Sequence, residues 1–292
     1  FCRESERGRK LIVYLRLLRP HQWLKNLLLF FPPFLGGSLF LPGVWQKGLA
    51  PFVVFCLASS ATYVFNDLRD CESDRVHPRK QHRPLASGAV SPPLAVALAV
   101  GMLAVSLFLG WTISLPFIGW LLAYLGLSFA YSFALKDQPV FDIFCIASGF
   151  VFRVFAGGAA FDVKVSDWLF LTVLLLAVFL SCGKRLSEKQ LLGEASADHR
   201  KVLEGYPPGT LEGFMFISGA AVLVTYTLYV ITNHRLVYTV PLCCFGLFRY
   251  ILIIKRGESG DPTDSLLKDP VMFLVGLMWM VMVGSAIYLK SM

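Results

Sequence analysis

Charge is scarce in this sequence. Asp, Glu, Lys and Arg make up 16% of its 292 residues against 56% hydrophobic, and the mean hydropathy is +0.63. A soluble domain of this size needs far more polar surface, so the composition excludes a water-soluble fold and leaves an integral membrane protein. Cage chemistry is also missing. The seven cysteines (Cys2, Cys56, Cys71, Cys145, Cys182, Cys243, Cys244) are odd in number and mostly sit in apolar runs without CxxC spacing. Neither a zinc site nor a disulfide framework is expected, and these residues read as small apolar fillers. Alternation at ten-residue spacing is absent, which disfavours a membrane β-barrel. The first residues, 1–23, are basic, begin without Met and show no cleavage site, so they read as an in-plane amphipathic lead-in rather than a signal peptide.

What is present is a series of long apolar runs. A hydrocarbon core of roughly 30 Å asks for about 20 such residues per helix. Nine stretches qualify, at 24–41, 49–67, 92–111, 113–133, 139–158, 167–183, 211–232, 237–254 and 270–289. The expectation is an all-α integral membrane protein of nine transmembrane helices, forming one domain over 1–292. If the amino terminus is cytoplasmic, that side receives twenty-one of the 27 Lys and Arg and the other side four, with Arg153 and Arg249 inside helices. This is a steep positive-inside bias, and it places the long loops and the working surface on the cytoplasmic side of the cell membrane. A transporter would instead place its polar groups near the bilayer midplane.

The scarce charge is gathered in NDLRDCESDRVHPRKQHRPLASG, residues 66–88. On a helix continuing from the second span, spacings of three and four place Asp67, Asp70 and Asp74 on one face, with Asn66 beside Asp70. Three like charges repel, and a hard divalent cation such as Mg²⁺, bridged to a substrate diphosphate, would offset them. Arg75, His77, Arg79, Lys80, His82 and Arg83 follow, stiffened by Pro78 and Pro84, and guanidinium groups chelate phosphate oxygens in pairs. The competing account is an intraloop salt-bridge network at the membrane surface. His77 and His82 read as phosphate donors or loop braces.

The pattern NDxxDxxxDR followed by HPxKxxRPxxSG resembles the first aspartate-rich motif of the UbiA superfamily of intramembrane prenyltransferases. That resemblance implies a UbiA-type helical bundle of nine helices, a cytoplasmic-facing cavity and a lateral opening for a lipid chain. Such enzymes carry a second DxxxD motif after the sixth helix, where this chain reads SCGKRLSEKQLL, with Lys184, Arg185 and Glu188. Two cations there suit a directly bound terminal phosphate, either a ribose 5-phosphate or a lipid phosphate. RPHQWLKN, YSFALKDQPVFD, SGFVFRVFAGG and GESGDPTDSLLKD extend the likeness to the phosphoribosyltransferase branch of that superfamily, between Arg19 and Asp269. In that branch phosphoribosyl diphosphate is the donor and a polyprenyl phosphate the acceptor.

The resemblance implies the following roles. Asp67, Asp70 and Asp74, assisted by Asn66, serve the magnesium and its diphosphate, and Arg75, Lys80 and Arg83 meet diphosphate charge. Lys184 and Arg185 meet a terminal phosphate, and Lys25 the lipid headgroup. Lys136 and Asp142 flank the fourth loop, on the face for ribose hydroxyls or diphosphate oxygens. Arg153 lies eleven residues beyond Asp142, roughly 16 Å along a helix, where it either lines a wet cavity or has a buried partner. Asp137 carries a weaker claim, and Arg249 reads as a helix-end anchor. Glu188, Arg200, Tyr206, Glu258, Asp261 and Asp264 either close a lid or solvate it. The partners expected are phosphoribosyl diphosphate, a polyprenyl phosphate and the bilayer, not nucleic acid, and a homo-oligomer is left open. The alternatives are a prenyltransferase acting on an aromatic acceptor and a non-enzymatic lipid carrier.

Overall fold

The computed structural model describes residues 12–76, 80–192, 201–232, 234–258 and 260–289, which contain helices and connecting turns and no strand. The first eleven residues of the expected lead-in lie outside these residues, as do His77, Pro78, Arg79 and Arg200. A 3-10 segment, Pro20–Phe30, runs into α1 (Phe31–Leu35). It is followed by α2 (Val44–Arg69), α3 (Cys71–Val76), α4 (Pro92–Ile113) and α5 (Leu115–Ala130), the last continuing as a π turn over Tyr131–Leu135. The remaining helices are α6 (Phe141–Phe161), α7 (Asp167–Leu192), α8 (Thr210–Thr232), α9 (Val240–Lys255), α10 (Pro262–Lys268) and α11 (Pro270–Tyr288).

Eight of these, α2, α4 to α9 and α11, counting α5 with its π turn and α9 with the 3-10 turn that precedes it, are long and apolar enough to cross a membrane, with bounds close to the expected runs. The ninth expected span, 24–41, does not qualify among the described residues. Its chain winds as a 3-10 helix to Phe30, and the five-residue α1 that follows ends at Gly36. Pro32 and Pro33 supply no backbone N–H to a longer α-helical ladder. Starts elsewhere are marked by sequence: Pro lies in the first two positions of α4, α5, α10 and α11. Asp261 and Asp269 cap α10 and α11 by accepting from Thr263 N at 3.0 Å and Met272 N at 2.7 Å.

The apolar side chains divide into two main packed groups around a central cavity. On one side the 3-10 segment packs with α2, α5 and α6 through Leu29, Phe55, Phe117 and Leu121. On the other, α7, α8 and α9 pack through Phe179, Met215, Leu247 and Tyr250. Of the apolar stretch of α2 61% is buried and of that of α11 only 6%, so α2 is a central helix and α11 turns its apolar side chains outward. The 3-10 segment touches α6 backbone to backbone: a Cβ on Gly157 would stand 2.1 Å from the Leu29 carbonyl oxygen.

Candidate active site

A polar cavity of about 1240 Å³ opens between the two packed groups, and most of the expected residues line it. Asn66 and Asp67 come from the last turn of α2, Asp70 from its C-cap and Asp74 from α3. The π turn, one residue wider than an α turn, ends at Lys136 and brings Tyr131 and Ser132 to the same wall. Lys25 arrives from the 3-10 segment, Arg153 from α6, and Lys184 and Arg185 from α7.

The acid cluster is held by cations. Arg19 Nη2 donates to both oxygens of Asp67, at 2.5 and 2.7 Å. One nitrogen, Nη1 of Arg83, lies 2.9 Å from Asp67 Oδ1 and 2.6 Å from Asp74 Oδ2. Lys80 stands 3.9 Å from Asp74, while Asp70 is paired with Lys136 and accepts from Asn66 Nδ2 at 3.1 Å. The continuous face expected for the three carboxylates is therefore corrected. The helix breaks at Asp70, so Asp67 and Asp74 share Arg83 while Asp70 turns to Lys136. Burial pushes the Asp74 carboxyl above its ordinary range, against the opposing pull of Arg83 and then Lys80.

No three His, Cys, Asp or Glu side chains converge into a metal cage among the described residues. Mg²⁺ does not require one. It keeps waters and binds through one or two carboxylates plus substrate phosphate, and Asp67 and Asp74 already face each other across a single cationic nitrogen. The donor set fits a hard cation entering with its phosphate, once Arg83 turns from carboxylate to phosphate oxygens.

Two expectations about the other wall change. Asp142 lies outside the cavity lining and is fully buried. Its Oδ2 accepts from Arg185 Nε at 2.6 Å and its Oδ1 from Tyr206 Oη at 2.5 Å. Arg185 also donates to Glu188 at 2.7 Å and to Tyr131 Oη at 3.2 Å, so it works as a brace between helices. Tyr206 in turn accepts from Val140 N at 2.6 Å, holding that β-branched residue at φ 72°, a costly conformation. Arg75 is exposed and outside the lining, because α3 points its Asp74 face inward.

Arg153 proves to have both of its expected environments. It lines the cavity, yet it is 4% exposed and donates to Asn26 Oδ1 at 2.7 Å, Gly149 O at 2.7 Å and Tyr124 Oη at 3.1 Å. Asn26 is itself completely buried. Arg249 pairs with Asp269 at 2.7 Å, consistent with a helix-end anchor.

Arg19 is the contributor that sequence reasoning passed over. Its signal was the RPH turn: Arg19 sits at φ 53° just before Pro20, which aims its side chain at α2. Asp261, weighed only as a lid residue, lies between Lys184 (3.3 Å) and Lys25 (3.7 Å). Burial acts to raise its carboxyl pKa, but Lys184 and Lys25 outweigh that and hold it well below the usual carboxylate range.

Residues 30–277 match the family model described as the UbiA prenyltransferase family. The chain is 36% identical to decaprenyl-phosphate phosphoribosyltransferase of Mycolicibacterium smegmatis, over 94% of this chain and 92% of that protein. The protein of the same name from Corynebacterium glutamicum is 32% identical, over 95% and 87%. Among solved structures, a UbiA homolog from Archaeoglobus fulgidus bound to GPP and Mg²⁺ superposes with a TM-score of 0.72 at 22% identity, covering 94% of this chain and 99% of that one. Digeranylgeranylglyceryl phosphate synthase superposes with a TM-score of 0.65 at 19% identity, over 96% and 98%.

Proposed function

Because the chain belongs to the UbiA prenyltransferase family, we propose that it is a multi-pass membrane enzyme that moves a 5-phosphoribosyl group onto a polyprenyl phosphate of the decaprenyl kind. The donor is 5-phosphoribosyl 1-diphosphate. The bond from ribosyl C1 to the diphosphate oxygen breaks, a lipid phosphate oxygen bonds to C1, and diphosphate leaves. The product is a lipid-linked pentose of the kind consumed in cell-envelope polysaccharide synthesis. The observation that carries the reading is the near full-length likeness to relatives of that name. The cavity supports it: Lys25 and Lys184 line it together with the acid cluster, and Lys184 stands in the stretch where a prenyltransferase would carry a second acidic motif.

The residues divide the work. Asp67, Asp70 and Asp74, with Asn66, would hold Mg²⁺, which when bound neutralises the charge of the leaving diphosphate. Arg19, Lys80, Arg83 and Lys136, now paired with those carboxylates, are within reach of phosphate oxygens that replace them. A phosphate monoester is already anionic near neutral pH, so the chain supplies no general base. It positions two anions and shields their repulsion while C1 passes through an oxocarbenium-like state. The 3-10 segment and α1 run alongside α2, from the Arg19–Asp67 pair at its end to Phe30 against Gly48 near its start, and counted with that passage the twenty-one to four distribution of Lys and Arg supports an amino terminus and a cavity mouth facing the cytoplasm.

The test is incubation of purified protein with Mg²⁺, labelled phosphoribosyl diphosphate and a polyprenyl phosphate. Labelled lipid is the expected product. Turnover of a prenyl diphosphate with no labelled lipid would sink this reading in favour of a prenyltransferase.

A further inference from the structure

Two lysines from separate elements converge on one oxygen. Oδ2 of Asp261 lies 3.3 Å from Lys184 Nζ and 3.7 Å from Lys25 Nζ, while its Oδ1 is occupied in capping α10 through Thr263 N. The loop that presents this carboxylate is seated firmly on α7 and α9. Ser187 Oγ donates to Glu258 O at 2.8 Å, and Tyr250 Oη donates to Gly260 O at 2.9 Å. A Cβ on Gly260 would lie 2.8 Å from Lys184 Cα, so the backbones are already in contact. Glu258 and Gly260 are thus anchored through their carbonyls, and the part that can exchange is the ion pair itself.

The cluster also marks a boundary. Beside the polar cavity lies a second, apolar cavity of about 810 Å³, whose lining includes Leu24, Leu180, Pro262 and Leu266. Leu24 precedes Lys25, Pro262 follows Asp261, and Leu180 sits one turn before Lys184. Each member of the cluster thus lines the polar cavity while a near neighbour on its own element lines the apolar one. A ligand matching this junction has a compact anion at one end and a hydrocarbon chain at the other.

We propose that Lys25 and Lys184 form a single site for the phosphate of the lipid acceptor, and that Asp261 is a placeholder which neutralises both ammonium groups until that phosphate displaces it. The inference rests on the reading of a polyprenyl phosphate as acceptor. The first isoprene units then enter the apolar cavity, and the sugar donor is confined to the acid-cluster side. Arg185 takes no part, since Asp142, Glu188 and Tyr131 already hold its guanidinium. A partly buried ammonium pair at an apolar boundary is costly without an anion, and a carboxylate supplied by the chain meets that need until the lipid arrives.

The test measures binding of farnesyl phosphate to the detergent-purified full chain by intrinsic tryptophan fluorescence, with inorganic phosphate and phosphoribosyl diphosphate as comparison ligands. Asp261→Asn keeps the helix cap and removes the competing charge, so farnesyl phosphate should bind about tenfold more tightly. Lys184→Gln should weaken it by about tenfold or more, and both variants should bind phosphoribosyl diphosphate within about twofold of the unaltered protein. Weaker phosphoribosyl diphosphate binding in Lys184→Gln, or farnesyl phosphate binding unchanged in both variants, would overturn the assignment. So would inorganic phosphate binding as tightly as farnesyl phosphate. Farnesyl phosphate binding that responds as expected, without transfer in the activity assay, would retire the proposed reaction and leave this site standing.

Discussion

Two ion-pair clusters flank the cavity, and they are built in opposite ways. At the α6–α7 wall, the Asp142 and Arg185 side chains are 0% and 1% exposed, and both carboxylate oxygens are engaged. At the α2–α3 wall, the cations on Asp67 and Asp74 keep solvent access: Arg19 is 18%, Arg83 25% and Lys80 32% exposed. A pair with both partners buried cannot trade partners without leaving a charge stranded in a low dielectric, whereas Asp67 and Asp74, themselves 3% exposed, can trade theirs because the cations reach water. The difference teaches which charges are scaffold and which are available to substrate, although both clusters look alike as strings of Asp and Arg.

The sharpest way to break the comparison is to alter one member of each wall. Asp70→Asn should lower Mg²⁺-dependent turnover on the order of 10²- to 10³-fold while leaving the melting temperature nearly unchanged, as read by steady-state rates and thermal unfolding. Near-normal activity would remove Asp70 from the machinery. Asp142→Ala should act the other way, through the fold. Stranding Arg185 should cost about 3–5 kcal/mol, seen as a lowered unfolding temperature in detergent before any kinetic effect is assigned. A stable, fully folded Asp142→Ala protein would show that the buried pair is not scaffold.

A smaller effect separates charge from packing within the open cluster. Asp74 is pushed up by burial and pulled back by Arg83, so as pH falls it takes up its proton before an ordinary carboxylate would. Arg83→Gln removes the stronger of the two opposing cations and raises Asp74 further. If the ionised carboxylate is required, activity should be lost at a higher pH on the acid limb than in the unaltered protein. An acid limb that stays in place, or moves to lower pH, would detach Asp74 from the profile.

Much of this was legible in the sequence, and the reasons differ by residue. Eight spans were readable because each stands as an unbroken apolar run between charged loops, and hydropathy reports that directly. The segment at 24–41 misled because composition does not distinguish an α-helix from a 3-10 coil ending in two prolines. The acidic spacing located the cavity wall, but not the break at Asp70, which lies between the end of α2 at Arg69 and the start of α3 at Cys71. Asp142 and Lys136 sit six residues apart at the two ends of one loop, yet one became scaffold and the other faces the cavity. That choice was made by Tyr206, some sixty residues further on, and local pattern cannot report a partner at that separation. Arg153 was legible as an oddity, but its partner Asn26 is 127 residues away.

The contact at Gly157 acts as a gauge for all of this. Lys25 lies four residues before Leu29, and Arg153 four residues before Gly157, so each is about one turn from the point where the two backbones meet. No side chain separates them there, and none can be repacked to alter the spacing. The reach of a lysine at the lipid junction and of an arginine deep in the polar cavity is therefore calibrated by a missing methyl group, and Gly157→Ala would reset that calibration without touching a single charged residue.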